Sequence, residues 1–199
     1  VADRLFISHE YDHALQDQYW DLEKITDVSP SQGDRALARL ALIEGDATDV
    51  MFQWAMENLG PDDISELSES VSSMDQSLLN DMPPILRRQL EMPYLDGQAF
   101  VATLRRAGGW DAVNAAWERL PASAEQILHP ERYPDDRPAS VSLPDVAAAL
   151  GDGWNTRYAQ TLGELAIRVL LADGGSESDV AGAADGWGGD RLTMVEGPD

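Results

Sequence analysis

The sequence predicts a mainly α-helical protein, with an HExxH helix near its start, a second helix that carries a glutamate, and little β-sheet. Two observations lead to this prediction. Apolar residues recur at helical spacing through most of the 199 residues, and Gly or Pro separates the periodic stretches. Apolar and polar residues alternate, as in a strand, at residues 191–196. With 43% apolar residues, the chain can bury a substantial core, so we expect one domain over residues 1–199.

The helices are expected at residues 3–23, 34–59, 62–91, 95–107, 110–119, 155–172 and 177–185. Gly60 and Pro61 follow the second helix in the usual order, with Gly just past the helix and Pro beyond it. Gly108 and Gly109 separate two later helices because glycine is a poor helix former. The helical pattern therefore has clear ends at these positions.

The remaining segments are predicted to be less regular. Residues 27–33 form a turn-rich break, and Pro83-Pro84 interrupts the shorter helices of 62–91. Residues 61–82, rich in Asp and Ser, are expected to form a mobile arm. Residues 121–142 are rich in proline and should be irregular.

Composition excludes several classes of function. The formal charge of −22 would repel a phosphate backbone or an anionic membrane surface, so neither is expected as a partner. The chain contains no run of eighteen apolar residues, so the sequence predicts no membrane-spanning helix. The absence of cysteine removes disulfides, thiol catalysis and thiolate metal sites. The negative charge favours solubility. Calcium could bind at Asp62/Asp63 or Asp135/Asp136, although neither pair has the spacing of an EF-hand loop.

Residues 9–13 have the sequence His-Glu-Tyr-Asp-His, an HExxH motif. Positions i and i+4 of a helix lie on one face, so His9 and His13 can direct ring nitrogens toward one ion. Glu10 lies beside them, where it could accept a proton from an activated water. The chain has three histidines, and two of them have this spacing. The motif is typical of a zinc peptidase.

A catalytic zinc needs a third protein ligand, which must be a carboxylate or His in a chain without cysteine. Glu44 is the strongest candidate because it lies in mid-helix among apolar residues, where an unpaired carboxylate is costly. Gly45 beside it predicts the close approach of another helix or a ligand. Glu164 is the alternative, although it could instead be a core carboxylate paired with Arg157, Arg168 or a histidine ring.

The segments HEYDHALQDQYWDL and LALIEGDAT resemble those of gluzincin-type zincin metallopeptidases, and later segments resemble bacterial zincin-like proteins. The resemblance implies a zincin-like domain with one zinc ion held by His9, His13 and Glu44, and with Glu10 as general base. It also implies that the strands preceding the active-site helix in zincins lie outside this chain.

Other candidate residues complete the predicted site. His129 and Tyr94, with Tyr133 behind them, could stabilise the oxyanion of a tetrahedral intermediate. Arg191 could bind a substrate carboxylate, or it could pair with one of the many acids. The imidazoles need partners for their second nitrogens, and the candidates are Asp12, Asp17, Thr48 and backbone carbonyls.

We therefore expect a zinc-dependent peptidase that acts on peptide or protein substrates, secreted or at the cell envelope, with a cytoplasmic location still open. The alternative is a non-catalytic zincin-like module that binds another protein and keeps a vestigial or structural metal site. A third interpretation is an acidic helical scaffold in which the motif is accidental. The intact Glu10 favours the enzyme, since a structural site needs no base.

Overall fold

The computed structural model describes residues 1–73, 75–172 and 177–198. It is mainly helical, as predicted, with 68% helix and, among those residues, a single two-stranded sheet. The chain forms two compact units. The first comprises Val1–Thr26 and Arg39–Leu120, and the second comprises Asp27–Ala38 and Pro121–Asp199. The expectation of one domain over residues 1–199 stays a prediction.

The helices of the first half are α1 Ala2–Trp20, α2 Leu22–Thr26, α3 Gly33–Asn58, α4 Pro61–Ser72, α5 Ser77–Asn80 and α6 Pro84–Glu118. The two long helices predicted first are confirmed to within a few residues. The predicted break at Gly108 and Gly109 is also confirmed, because both residues leave helical geometry and Gly109 has a φ of 68°. No helix of the described residues is both long enough and apolar enough to cross a membrane.

Helices α3 and α6 approach each other so closely that two glycines are required. A Cβ on Gly45 would lie 2.3 Å from the backbone carbon of Gly97. A Cβ on Gly97 would lie 2.2 Å from the carbonyl oxygen of Ala41. Real Cβ atoms do not tolerate such distances to backbone. The prediction that Gly45 marks a close helix approach is therefore confirmed.

A buried ion pair also connects α3 to α6. The carboxylate of Asp49 is fully buried, and it accepts hydrogen bonds from Arg105 Nε at 2.6 Å and from Gln98 Nε2 at 3.0 Å. A buried charge needs such partners, because the loss of one leaves the other unpaired at a cost of several kcal/mol. The glycine contact and this ion pair together define where α6 lies along α3.

The second unit contains α7 Ala124–Leu128, α8 Val146–Leu150, β1 Asn155–Gln160, α9 Gly163–Leu171, α10 Glu177–Ala184 and β2 Leu192–Glu196. The strand predicted at residues 191–196 and the short helix at 177–185 are confirmed. A short helix, α7, lies within the stretch predicted to be irregular.

The helix predicted over residues 155–172 is wrong in its first part. Residues 155–160 form β1, which pairs antiparallel with β2. Asp190 accepts hydrogen bonds from the backbone N–H groups of Leu162 and Gly163, and the helix begins only there. The apolar periodicity lies in residues 162–170, and it does not extend over residues 155–160, whose pairing partner is more than thirty residues away.

Asp34 gives the second unit a dependence on pH that can be measured. Its side chain is 4% exposed and its carboxylate accepts a hydrogen bond from Ala124 N at 3.1 Å. Burial raises the pKa of Asp34 from 3.8 to about 7, and the carboxylates of Asp190, Glu125 and Glu164 act in the same direction. Between about pH 4 and pH 7, the Asp34 carboxyl is therefore protonated in the folded state and ionised in the unfolded state. Its contribution to the free energy of unfolding decreases as the pH rises through this range.

Asp34→Asn should flatten the pH dependence of stability in that window. The free energy of unfolding of the wild type, relative to that of the variant, should fall by up to about 4 kcal/mol as the pH rises from 4 to 7. The difference should then level off at higher pH. Urea denaturation of both proteins at several pH values measures it. Parallel curves across the window would contradict the raised pKa.

Candidate metal centre

The structure brings His9, His13 and Glu44 together within the first unit. His9 and His13 lie one turn apart on α1, with their rings perpendicular and their Nε2 atoms 3.0 Å apart. Glu44 Oε2, from α3, lies 3.2 Å from His9 Nε2 and 3.4 Å from His13 Nε2. Among the described residues, this is the one group of three or more His, Asp or Glu side chains whose donor atoms converge closely enough for a metal ion.

The distances among these three atoms fit one face of a zinc coordination tetrahedron. Two atoms that each lie about 2.0–2.1 Å from zinc at the tetrahedral angle are about 3.3 Å from each other. The measured separations of 3.0, 3.2 and 3.4 Å are close to this value. Two imidazoles and one carboxylate leave a fourth position for water, which is the arrangement of catalytic rather than structural zinc.

Electrostatics at the cluster also favour a cation. A hydrogen bond to the Glu44 carboxylate raises the pKa of His13, and burial opposes this shift without cancelling it. Burial by itself would raise the pKa of Glu44, but the hydrogen bond and charge of His13, with smaller effects of His9, lower it overall. The site therefore holds an anionic carboxylate that attracts positive charge.

Glu10 and Tyr94 lie at the same cavity as His9. This cavity has a volume of about 460 Å³ and is lined by Phe6, His9, Glu10, Thr48, Met51, Phe52, Tyr94, Leu95 and Gln98. The Tyr94 ring stacks near that of His9, with centroids 6.4 Å apart, and its hydroxyl hydrogen-bonds to Glu44. Glu10 and Tyr94, which were both predicted to be catalytic, thus lie beside the predicted ligand His9.

Thr48 adds an unsatisfied polar atom to this cavity. Its side chain is buried, and its Oγ1 has no hydrogen-bond partner among the described residues. A buried hydroxyl without a partner is costly, and such a group in a cavity often meets a ligand. Thr48 was one of the predicted partners for an imidazole, but the structure records no hydrogen bond from its hydroxyl to a ring.

A hydrogen bond and a stack of two tryptophan rings connect α1, which carries the first two ligands, to α6 and α3. Trp117 Nε1, on α6, donates to Asp46 Oδ2, on α3, at 2.9 Å. The Trp20 ring at the end of α1 stacks on the Trp117 ring, with centroids 4.8 Å apart. Burial raises the pKa of Asp46 to about 7, with a further contribution from the Asp12 carboxylate.

Gln16 is the residue of this site that the sequence analysis missed. It contacts His13 directly, since its Oε1 lies 2.8 Å from His13 Nδ1. Asp17, a predicted partner, instead accepts from the backbone N–H of Leu22. His9, His13 and Gln16 have the spacing i, i+4, i+7, and this helical face could have identified Gln16 from the sequence.

The structure places His129 in the second unit, with partners of its own. Its Nε2 lies 2.9 Å from Glu164 Oε1 and 3.1 Å from an Arg168 nitrogen. Glu164 is fully buried, and it also accepts from Arg168. The structure therefore supports the interpretation of Glu164 as a core carboxylate paired with an arginine and a histidine, and does not group it with His9 and His13.

Tyr133, Arg191 and the pair Asp135/Asp136 also lie in the second unit, whereas Asp62 and Asp63 lie in the first turn of α4. Arg191 donates to the carbonyl oxygen of Ser31 at 3.0 Å. Neither Asp62/Asp63 nor Asp135/Asp136 belongs to a group of three converging metal-ligating side chains among the described residues. The calcium sites thus gain no support.

No protein-family model, curated protein or solved structure matches this chain. The resemblance to gluzincin-type metallopeptidases therefore stays a prediction.

Proposed function

We propose that this protein is a metal-dependent peptidase, with zinc held by His9, His13 and Glu44 and with Glu10 as its general base. The observation that supports this most directly is the convergence of three donor atoms at tetrahedral spacing beside a cavity that Glu10 also lines. A structural zinc site would be closed by four protein ligands and would need no neighbouring base.

Each residue has a defined part in the proposed reaction. When bound, zinc acts as a Lewis acid that makes water nucleophilic near neutral pH and polarises a carbonyl group. Glu10 accepts the proton of the attacking water on a carboxylate oxygen and then donates it to the leaving amine. The hydroxyl of Tyr94, which lies beside Glu44, is the donor assigned to the oxyanion. Burial and the Glu44 carboxylate raise the pKa of Tyr94, which keeps this donor protonated.

The cavity walls suggest which peptides would bind. Phe6, Met51, Phe52 and Leu95 give the cavity an apolar lining. A second apolar cavity of about 650 Å³ shares Met51, Phe52 and Gln98 with the first. An extended peptide with large apolar side chains near the scissile bond could bury them along this surface. A peptide library for assay should therefore be rich in such residues.

Glu10→Gln provides the test of this proposal. The variant should keep zinc, because Glu10 is not a ligand, and should lose about 10²–10⁴-fold in peptide hydrolysis because the base is gone. Elemental analysis measures zinc, and a fluorogenic peptide library measures kcat/KM. Glu57→Gln is the matched control, since Glu57 is an exposed glutamate of α3 outside both cavities, and it should leave both quantities unchanged.

The other outcomes separate the competing functions. If the wild type binds zinc but cleaves no peptide, the chain is a non-catalytic module that binds another protein. If the wild type binds no divalent metal at all, the HExxH spacing is accidental and the chain is an acidic helical scaffold. Equal activity of Glu10→Gln and wild type would overturn the role of Glu10.

A further inference from the structure

Gln16 is a buried polar side chain directly behind the proposed metal ligands. It lies three residues after His13 on α1 and is 1% exposed. A buried amide is costly unless its donors and its acceptor all find partners. The contacts of this amide with His13, Asp12 and Ile43 indicate how it is oriented and how it affects His13.

The orientation of the amide follows from its two acceptor neighbours. Gln16 Nε2 lies 2.7 Å from Asp12 Oδ2 and 3.1 Å from the carbonyl oxygen of Ile43. A backbone carbonyl can only accept a hydrogen bond, so the NH₂ group must face Ile43. The carbonyl oxygen of the amide, Oε1, then faces His13 Nδ1 at 2.8 Å. The reverse orientation would place two acceptors against each other at Ile43.

This contact bears on which nitrogen of the neutral His13 ring carries the proton. An amide oxygen can only accept, so it forms a hydrogen bond only with a ring that is protonated on Nδ1. The competing acceptor is the Glu44 carboxylate, which lies 3.4 Å from Nε2, and the shorter contact of 2.8 Å at Nδ1 therefore favours a neutral ring with its proton there. Nε2 then presents a lone pair toward His9 Nε2 and Glu44 Oε2, which lie 3.0 and 3.4 Å away. This is the tautomer that a ligand bound through Nε2 requires.

We propose that Gln16 is a positioning residue that fixes the Nδ1–H tautomer and the ring orientation of His13 for metal binding. The same amide donates to the carbonyl of Ile43, the residue before Glu44, and so connects the helix of His13 to the helix of the third ligand. Gln16 therefore controls both the lone pair of His13 and the separation of His13 from Glu44. This inference depends on the metal site of the proposed function but makes a separate claim about the metal-free protein.

The tautomer can be tested on the wild type without metal. Long-range ¹H–¹⁵N correlation spectra of the imidazoles, recorded on chelator-treated protein at about pH 9, distinguish protonation at Nδ1 from protonation at Nε2. We expect His13 to carry its proton on Nδ1. A His13 ring protonated at Nε2 would overturn the proposal, whatever the protein does with zinc.

The effect on the metal is tested with Gln16→Met, which keeps the length of the side chain but removes the amide. Zinc affinity, measured by competition with a chromophoric chelator, should fall about 10–100-fold. Gln18→Met is the matched control, because Gln18 lies on the same helix but is exposed, and it should bind zinc as the wild type does. Unchanged zinc affinity in Gln16→Met would overturn the proposal.

These experiments distinguish the failure of this inference from that of the proposed function. A wild type that has the Nδ1–H tautomer but binds no zinc would support the hydrogen-bond role of Gln16 and would refute the metal site. If the wild type binds zinc and the Gln16→Met variant binds it with equal affinity, the metal site is supported and the role of Gln16 is refuted.

Discussion

His13→Ala is expected to abolish zinc binding together with the thermal stabilisation that zinc confers. A ligand that binds only the folded state stabilises it by RT ln(1 + [L]/Kd), which is about 4 kcal/mol at a thousand-fold excess over Kd. For a chain of this size, zinc should raise the wild-type Tm by on the order of 10 °C above that of the chelator-treated protein. The variant should show no such shift, because His9 and Glu44 alone hold the ion weakly.

His129→Ala is the matched control for this experiment. It removes the third histidine of the chain, which lies in the second unit and contacts Glu164 and Arg168. Its own Tm is expected to change because the buried Glu164 loses a partner. The zinc-dependent shift should nevertheless equal that of the wild type. An equal zinc shift in His13→Ala and in the wild type would refute the assignment of His13 as a ligand.

Gly97→Ala is expected to disrupt the contact between α3 and α6. The added Cβ would lie 2.2 Å from the carbonyl oxygen of Ala41, and backbone atoms cannot move aside as a flexible side chain can. Overpacking of this kind typically costs 1–3 kcal/mol, and the extreme distance here places the expected loss at about 3 kcal/mol or more. Because Tyr94 and Glu44 face each other across these helices, zinc affinity should fall as well. Urea denaturation and chelator competition measure the two effects.

Gly182→Ala controls for the substitution itself. Gly182 lies in α10, and a Cβ there would meet nothing within 4 Å. Alanine should stabilise this helix by up to about 1 kcal/mol, since glycine is the poorer helix former. Opposite signs of the two Gly→Ala changes are therefore expected. A Gly97→Ala protein as stable as the wild type would show that α3 and α6 do not approach as closely as described.

Features that depend on a few neighbouring residues could be predicted from the sequence. The HExxH spacing placed His9 and His13 on one face of a helix, because the helical period is a property of the local backbone. The glycine pair at residues 108–109 predicted the break in α6 for a similar reason, since glycine disfavours the helix wherever it stands. Glu44 was also found, because an acid among apolar helix residues requires a partner.

Features that depend on distant residues could not be predicted in the same way. The segment that became β1 has no strong pattern of its own, and it pairs with β2 more than thirty residues later in the chain. The local pattern indicated that Gly45 needed a close neighbour but did not identify that neighbour as Gly97. His129 precedes Pro130 in a stretch predicted to be irregular, which indicated a functional role, whereas the structure gives it Glu164 and Arg168 as partners.

The sequence by itself determined the helical class of this protein and the register of two imidazoles on one helix, because both follow from backbone geometry over a few residues. The tertiary structure decided that Glu44 Oε2 lies within 3.4 Å of the Nε2 atoms of both rings and that Gln16 of α1 donates to the carbonyl oxygen of Ile43 on α3. These contacts join atoms of two helices, so they exist only when packing brings those helices together.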